Sequence, residues 1–127
     1  MKMSERSVRQ YDCVVEKHVA ITMADGTVLY LDLHRPARAG VAIDGVWPVL
    51  LERSPYNKAR EAHVLTGQYF AERGYVYAIQ DVRGRWSSEG AFEFLRNEAD
   101  DGLTTMQWLA AQPWCGKIGT VGCPSSK

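Results

Sequence analysis

The stretch from Pro48 to Asp81, PVLLERSPYNKAREAHVLTGQYFAERGYVYAIQD, decides the fold. PVLLERSPY is a short apolar run bounded by Pro48 and Pro55, the pattern of a buried strand. In REAHVLTGQYFAERG the apolar residues Ala62, Leu65, Tyr69 and Phe70 fall at i, i+3, i+7 and i+8, one face of a helix. Gly74 then sits where a C-terminal cap belongs. YVYAIQD, which closes the stretch, is a second apolar strand. A helical crossover between two short buried strands predicts that they run parallel.

The same unit recurs downstream. NEADDGLTTMQWLAAQPW predicts a helix over about 97–112, capped by Asn97, with Glu98, Asp100 and Asp101 favourably placed at the positive end of its dipole. Leu103, Met106, Leu109 and Ala110 supply the expected buried face, and Pro113 ends it. KIGTVGC is a third strand. Upstream, CVVEKHVAITM and VLYLDLHRP flank Asp25-Gly26, which tolerates the positive φ of a tight turn and so predicts a hairpin whose return strand Pro36 closes. ARAGVAIDGVW and VRGRWSSEGAFEF read as loops, and residues 1 to about 11 as a frayed polar start. The expected fold is α/β: an antiparallel hairpin near 14–35, then parallel strands near 48–53, 75–81 and 117–122, with helices near 60–73 and 97–112.

Composition narrows the function. The 127 residues suit one domain; 46% are hydrophobic and 24% charged, an ordinary globular balance. Fifteen basic residues match fifteen acidic ones, which argues against a general affinity for nucleic acid or an acidic membrane. Cys13, Cys115 and Cys123 have no CxxC spacing and read as free thiols in a reducing compartment. His18, His34 and His63 have no paired-ligand spacing, so neither a metal nor another cofactor is expected. No apolar stretch is long enough for a leader or a membrane span, and the expectation is a soluble cytoplasmic protein.

In parallel sheets functional residues gather beyond the carboxyl ends of the strands. RSPYNK, DVRGRWSSEG and GCPSSK hold those positions. Together with MADGTVLYLDLHRP, YFAERGYVYAIQDVRGR, SSEGAFEF, NEADDGLTTMQWLAAQPW and GKIGTVGC, they resemble the α/β-hydrolases of the X-prolyl dipeptidyl peptidase and cocaine esterase type, over about Val14 to Cys123. The resemblance implies a serine hydrolase that cleaves small-molecule ester, amide or Xaa-Pro peptide substrates through an acyl-enzyme.

It also implies roles for particular residues. The tyrosine of the family's Pro-Tyr motif gives a phenolic hydroxyl to the oxyanion hole, and the match falls on Tyr56. By position alone Tyr56 also reads as a loop tyrosine packed over the sheet edge. Asp81, Arg83 and Arg85 read as an ion-paired loop, with a substrate clamp the alternative; the family's usual glycine near Trp86 is missing, which suggests local reshaping. Gly122-Cys123 match the start of the nucleophile elbow, but the position after them is Pro124, which has no hydroxyl and a φ locked near −65° where the elbow needs a positive value. Ser125 is one residue late and stays only a weak nucleophile candidate. The triad's acid and histidine should follow in chain order. Residues 1–127 are therefore expected to be a partial catalytic domain ending at the elbow, from a truncated or frame-disrupted gene, inactive by itself and prone to self-association through its exposed last strand.

Two other classes compete. Gly122 to Lys127 has the outer spacing of a phosphate-binding loop, but Ser126 stands where that motif needs glycine. A non-catalytic α/β module that pairs with another chain is the second alternative.

Overall fold

The computed structural model describes residues 8–54, 57–82 and 98–120. The elements are β1 (Asp12–Thr22), β2 (Val28–Arg38), β3 (Val41–Ala42), β4 (Trp47–Ser54), α1 (Glu61–Ala71), β5 (Val76–Asp81), α2 (Glu98–Ala110) and β6 (Cys115–Thr120). They form one sheet in the order β1-β2-β5-β4-β6, with β3 on the end of β2. β4 runs parallel to both β5 and β6, while β2 is antiparallel to β1 and β5. The parallel centre flanked by an antiparallel hairpin is the predicted arrangement.

Three details differ from the sequence reading. β2 does not stop at Pro36 but runs on to Arg38. The ladder to β5 ends at His34, and from Ala37 onward the strand pairs with β3 instead. Pro36 thus lies beyond the last β5 pair, and its carbonyl accepts the Ile43 amide at 3.0 Å. The stretch read wholly as loop therefore contains β3. The third strand begins earlier than expected, at Cys115.

α1 presents a face other than the predicted one, and α2 keeps only Met106 and Leu109 of its predicted face. α1 buries His63, Gly67 and Ala71, spaced by four, while Leu65 is 57% exposed. The sheet beneath carries the bulky His34 and Tyr77, whose rings lie 5.7 Å apart. A Cβ on Gly67 would lie 2.3–2.6 Å from His34 ring atoms, so only the small side of the helix fits there. The cap at Gly74 is as predicted. Gly74 has φ +91°, and the bonds from Gly74 N–H to Ala71 and from Tyr75 N–H to Phe70 close a Schellman motif. The Phe70–Tyr75 ring contact seals it.

α2 buries Asp101, Thr105 and Leu109, whereas Leu103 is 55% exposed and Ala110 is exposed. Thr105 faces inward, where its buried hydroxyl donates to Oε1 of the fully buried Gln80 on β5 at 3.0 Å. Asn97 lies outside the described residues. The main core lies on the α2 side of the sheet: Leu29, Leu31, Leu33, Val49, Leu51, Val76, Ala78 and Leu109, with Met106, Trp108 and Ile118 packed against it.

Candidate active site at the strand ends

The parallel register sets Arg53 beside Gln80 and Ser54 beside Asp81, so β4 and β5 end level. Alternation sends Arg53 and Gln80 to the α2 face and Ser54 and Asp81 to the α1 face. On the α2 face Arg53 Nε donates to Gln80 Oε1 at 2.6 Å. The Val82 amide donates to the Ser54 carbonyl at 3.1 Å, tying the two chains where they leave the sheet.

The loop after β4 is pinned at its far side by Lys58. Its amide donates to Asp81 Oδ1 at 2.6 Å. Its ammonium lies 2.9 Å from Asp32 Oδ1 on β2, with both side chains only 3% exposed. Losing one partner of such a buried pair costs roughly 3–5 kcal/mol, because the remaining charge is stranded out of water. The same Asp32 oxygen accepts the His18 amide at 3.0 Å, and His18 Nδ1 lies 3.2 Å from the Lys58 ammonium. His18 sits in the β-bulge of β1 with φ 55°, a conformation that the Asp32 bond holds in place. A single lysine therefore fastens the loop to β5 and to the hairpin at once.

Asn57 turns the chain into this anchor with φ 53°. Its Oδ1 accepts the Ala59 amide and its carbonyl accepts the Arg60 amide, both at 3.0 Å. His63 Nδ1 lies 3.0 Å from the same carbonyl. Beneath, the Tyr77 hydroxyl donates to Glu52 Oε1 at 2.5 Å, and burial followed by that bond pushes its pKa up. Burial likewise raises the Cys13 thiol to about 11, with the Glu72 charge adding to it.

Asp81 is buried, and its Oδ1 accepts the Lys58 amide. Arg83 and Arg85 lie outside the described residues. So do Tyr56, Cys123, Pro124 and Ser125. The sequence reading missed Lys58, Asp32, His18 and His63 as builders of the site. One signal for them was present: in Leu31-Asp32-Leu33 a carboxylate sits in the middle of a core strand, and a buried carboxylate needs a cation. Nothing in the sequence said which of the chain's cations supplies it. Among the described residues no group of three or more His, Cys, Asp or Glu could hold a metal ion, and no helix is long and apolar enough to cross a membrane.

Known proteins resemble this chain in sequence and fold. Cocaine esterase from a Rhodococcus species is 37% identical over 113 residues, which is 85% of this chain and 19% of that protein. An alpha-amino acid ester hydrolase superposes with a TM-score of 0.70 at 27% identity, covering 88% of this chain and 21% of the other. A CocE/NonD family hydrolase from Staphylococcus aureus gives a TM-score of 0.72 at 26% identity, covering 85% and 22%. The chain thus spans about a fifth of the length of these relatives. The family model described as X-Pro dipeptidyl-peptidase (S15 family) matches residues 25–126, from the hairpin turn through all three parallel strands. With that match laid over a sheet whose strand ends are level and anchored, the chain belongs to the X-Pro dipeptidyl-peptidase family and carries its α/β-hydrolase fold.

Proposed function

We propose that this chain forms the oxyanion side of an acyl-hydrolase site, acting on ester or amide bonds of small molecules or Xaa-Pro peptides, and that it does not turn over such substrates by itself. The observation that carries the reading is the double anchoring of the loop after β4. Ser54 is tied to Val82 on one side of Tyr56, and Lys58 to Asp81 and Asp32 on the other. Acyl transfer builds negative charge on the substrate carbonyl oxygen. A donor already fixed in place stabilises that charge without reorganising, and removing one such donor costs about 3–4 kcal/mol of barrier. Tyr56 is the donor by its match to the family's Pro-Tyr motif.

The nucleophile is the missing part. The elbow needs a hydroxyl at the residue after Gly122-Cys123, and Pro124 has none. The protein is proposed to reside in the cytoplasm, where free thiols such as Cys13 and Cys115 persist. The reading is tested by exposing the purified chain to a fluorophosphonate probe and to a p-nitrophenyl ester. No labelled serine and no burst of nitrophenol are expected; labelling mapped to Ser125 overturns the inactive assignment. An experimental structure with the Tyr56 hydroxyl more than about 10 Å from Cys123, against a hydrogen bond's reach of ~3 Å, removes Tyr56 from the oxyanion role.

A further inference from the structure

We infer that His63 is a positioning residue for the loop after β4, holding the Asn57 carbonyl through Nδ1–H while the Glu52 carboxylate, held by Tyr77, faces the other side of its ring. The inference rests on the proposed role of that loop as the carrier of an oxyanion donor. His63 is on the first turn of α1, and 91% of its surface is buried. Its Nδ1 faces the Asn57 carbonyl at 3.0 Å. A carbonyl only accepts, so Nδ1 must carry a hydrogen to make that bond. On the opposite side of the ring, Nε2 lies 3.7 Å from Glu52 Oε2. Glu52 is itself held, because its other oxygen accepts the Tyr77 hydroxyl at 2.5 Å.

The chain of contacts runs from Tyr77 on β5 through Glu52 on β4 and His63 on α1 to Asn57. It ends on the residue directly after Tyr56, whose left-handed φ of 53° must be held by its surroundings. Lys58 secures the next residue from the hairpin side, so the turn is gripped by two independent groups from two directions. Both protonation states of the imidazole retain Nδ1–H, and the grip on Asn57 does not depend on which one is present. His63 touches no reacting atom in this scheme; it acts through Asn57.

The test uses the whole chain and reads the ring directly. Nitrogen-15 spectra of the neutral imidazole should show His63 protonated at Nδ1, the minor tautomer of free histidine. Amide exchange at Ala59 and Arg60, whose acceptors belong to Asn57, should quicken about tenfold in His63→Leu, the scale of one lost hydrogen bond. His63→Asn, whose side-chain amide reaches the Nδ1 position, should restore it, and His63→Gln should not. An Nε2-protonated ring, or equal exchange in the Leu and Asn variants, overturns the inference. If His63 passes and the Tyr56 hydroxyl lies away from Cys123, the oxyanion reading fails alone.

Discussion

His34 shows how one residue can set the pH response of the protein. It is 1% exposed, packed under Gly67, and neither ring nitrogen has a hydrogen-bond partner among the described residues. Burial lowers its pKa below the ordinary 6.5, against the opposing pull of the Asp32 carboxylate. The unfolded chain therefore takes up a proton that the folded chain refuses. Stability from this group is intact above about 6.5 and falls as the pH drops through that value towards the folded pKa. Urea midpoints measured at several pH values between neutrality and mild acid should decline in the wild type, and more gently in His34→Leu. Equal slopes in the two proteins show that His34 takes up its proton alike in the folded and unfolded chains. The sequence displayed His34 plainly in the strand VLYLDLHRP. Its neutral, partnerless state was not legible, because it follows from the approach of α1, a contact made by a residue more than thirty positions away.

At the scale of the element, α1 shows where periodicity misleads. Ala62, Leu65, Tyr69 and Phe70 form a proper helical stripe, and the helix and its Gly74 cap were readable from it. The buried side was not, because the relief of the sheet beneath decides which face can approach. The helix meets β2 through Gly67, where even one methyl would lie 2.3 Å from the His34 ring. Gly67→Ala gains intrinsic helix propensity of up to about 1 kcal/mol, yet overpacking of this kind costs typically 1–3 kcal/mol. A net loss of stability is expected from chemical denaturation. His34→Ala should remove the clash, so Gly67→Ala made in that background should cost less than in the wild type. Additive losses in the double variant would mean that the helix is held off by something other than the imidazole. α2 repeats the lesson with polarity in place of size: Leu103 matched the pattern, but the side that meets the sheet is the one whose Thr105 hydroxyl can bond buried Gln80.

Across the whole molecule, the succession of elements along the chain, the parallel direction of the three later strands and the antiparallel start were legible because each follows from local patterns and short connections. The clamp of Lys58, Asp32 and His18 was not, because its members come from three separate elements and meet only once the sheet forms. The sheet also has two unlike edges. β1 is defended: a bulge between Glu16 and Val19 interrupts its ladder, His18 takes a left-handed conformation, and Glu16 pairs with Arg35 at 2.9 Å. Such irregularities and charges discourage pairing with another strand. β6 borders the described sheet with β4 as its neighbour, and Lys117 is the single charge among its six residues. Gly119 and Thr120 are exposed beside it, and Leu103 stands exposed on α2. The β6 ladder also shifts register once, between Trp47 and Val49 of β4, but one lysine on an edge strand is a weak guard. The chain is therefore expected to self-associate through β6, visible as a sedimentation coefficient that rises with concentration. Gly119→Lys adds a second charge where a Cβ meets Leu50 Cδ2 at an ordinary 3.6 Å, so the fold should tolerate it and the association should weaken. A folded wild-type chain that sediments as a monomer at every concentration rules out β6 as an adhesive edge. Association unchanged by Gly119→Lys shifts the contact to another surface.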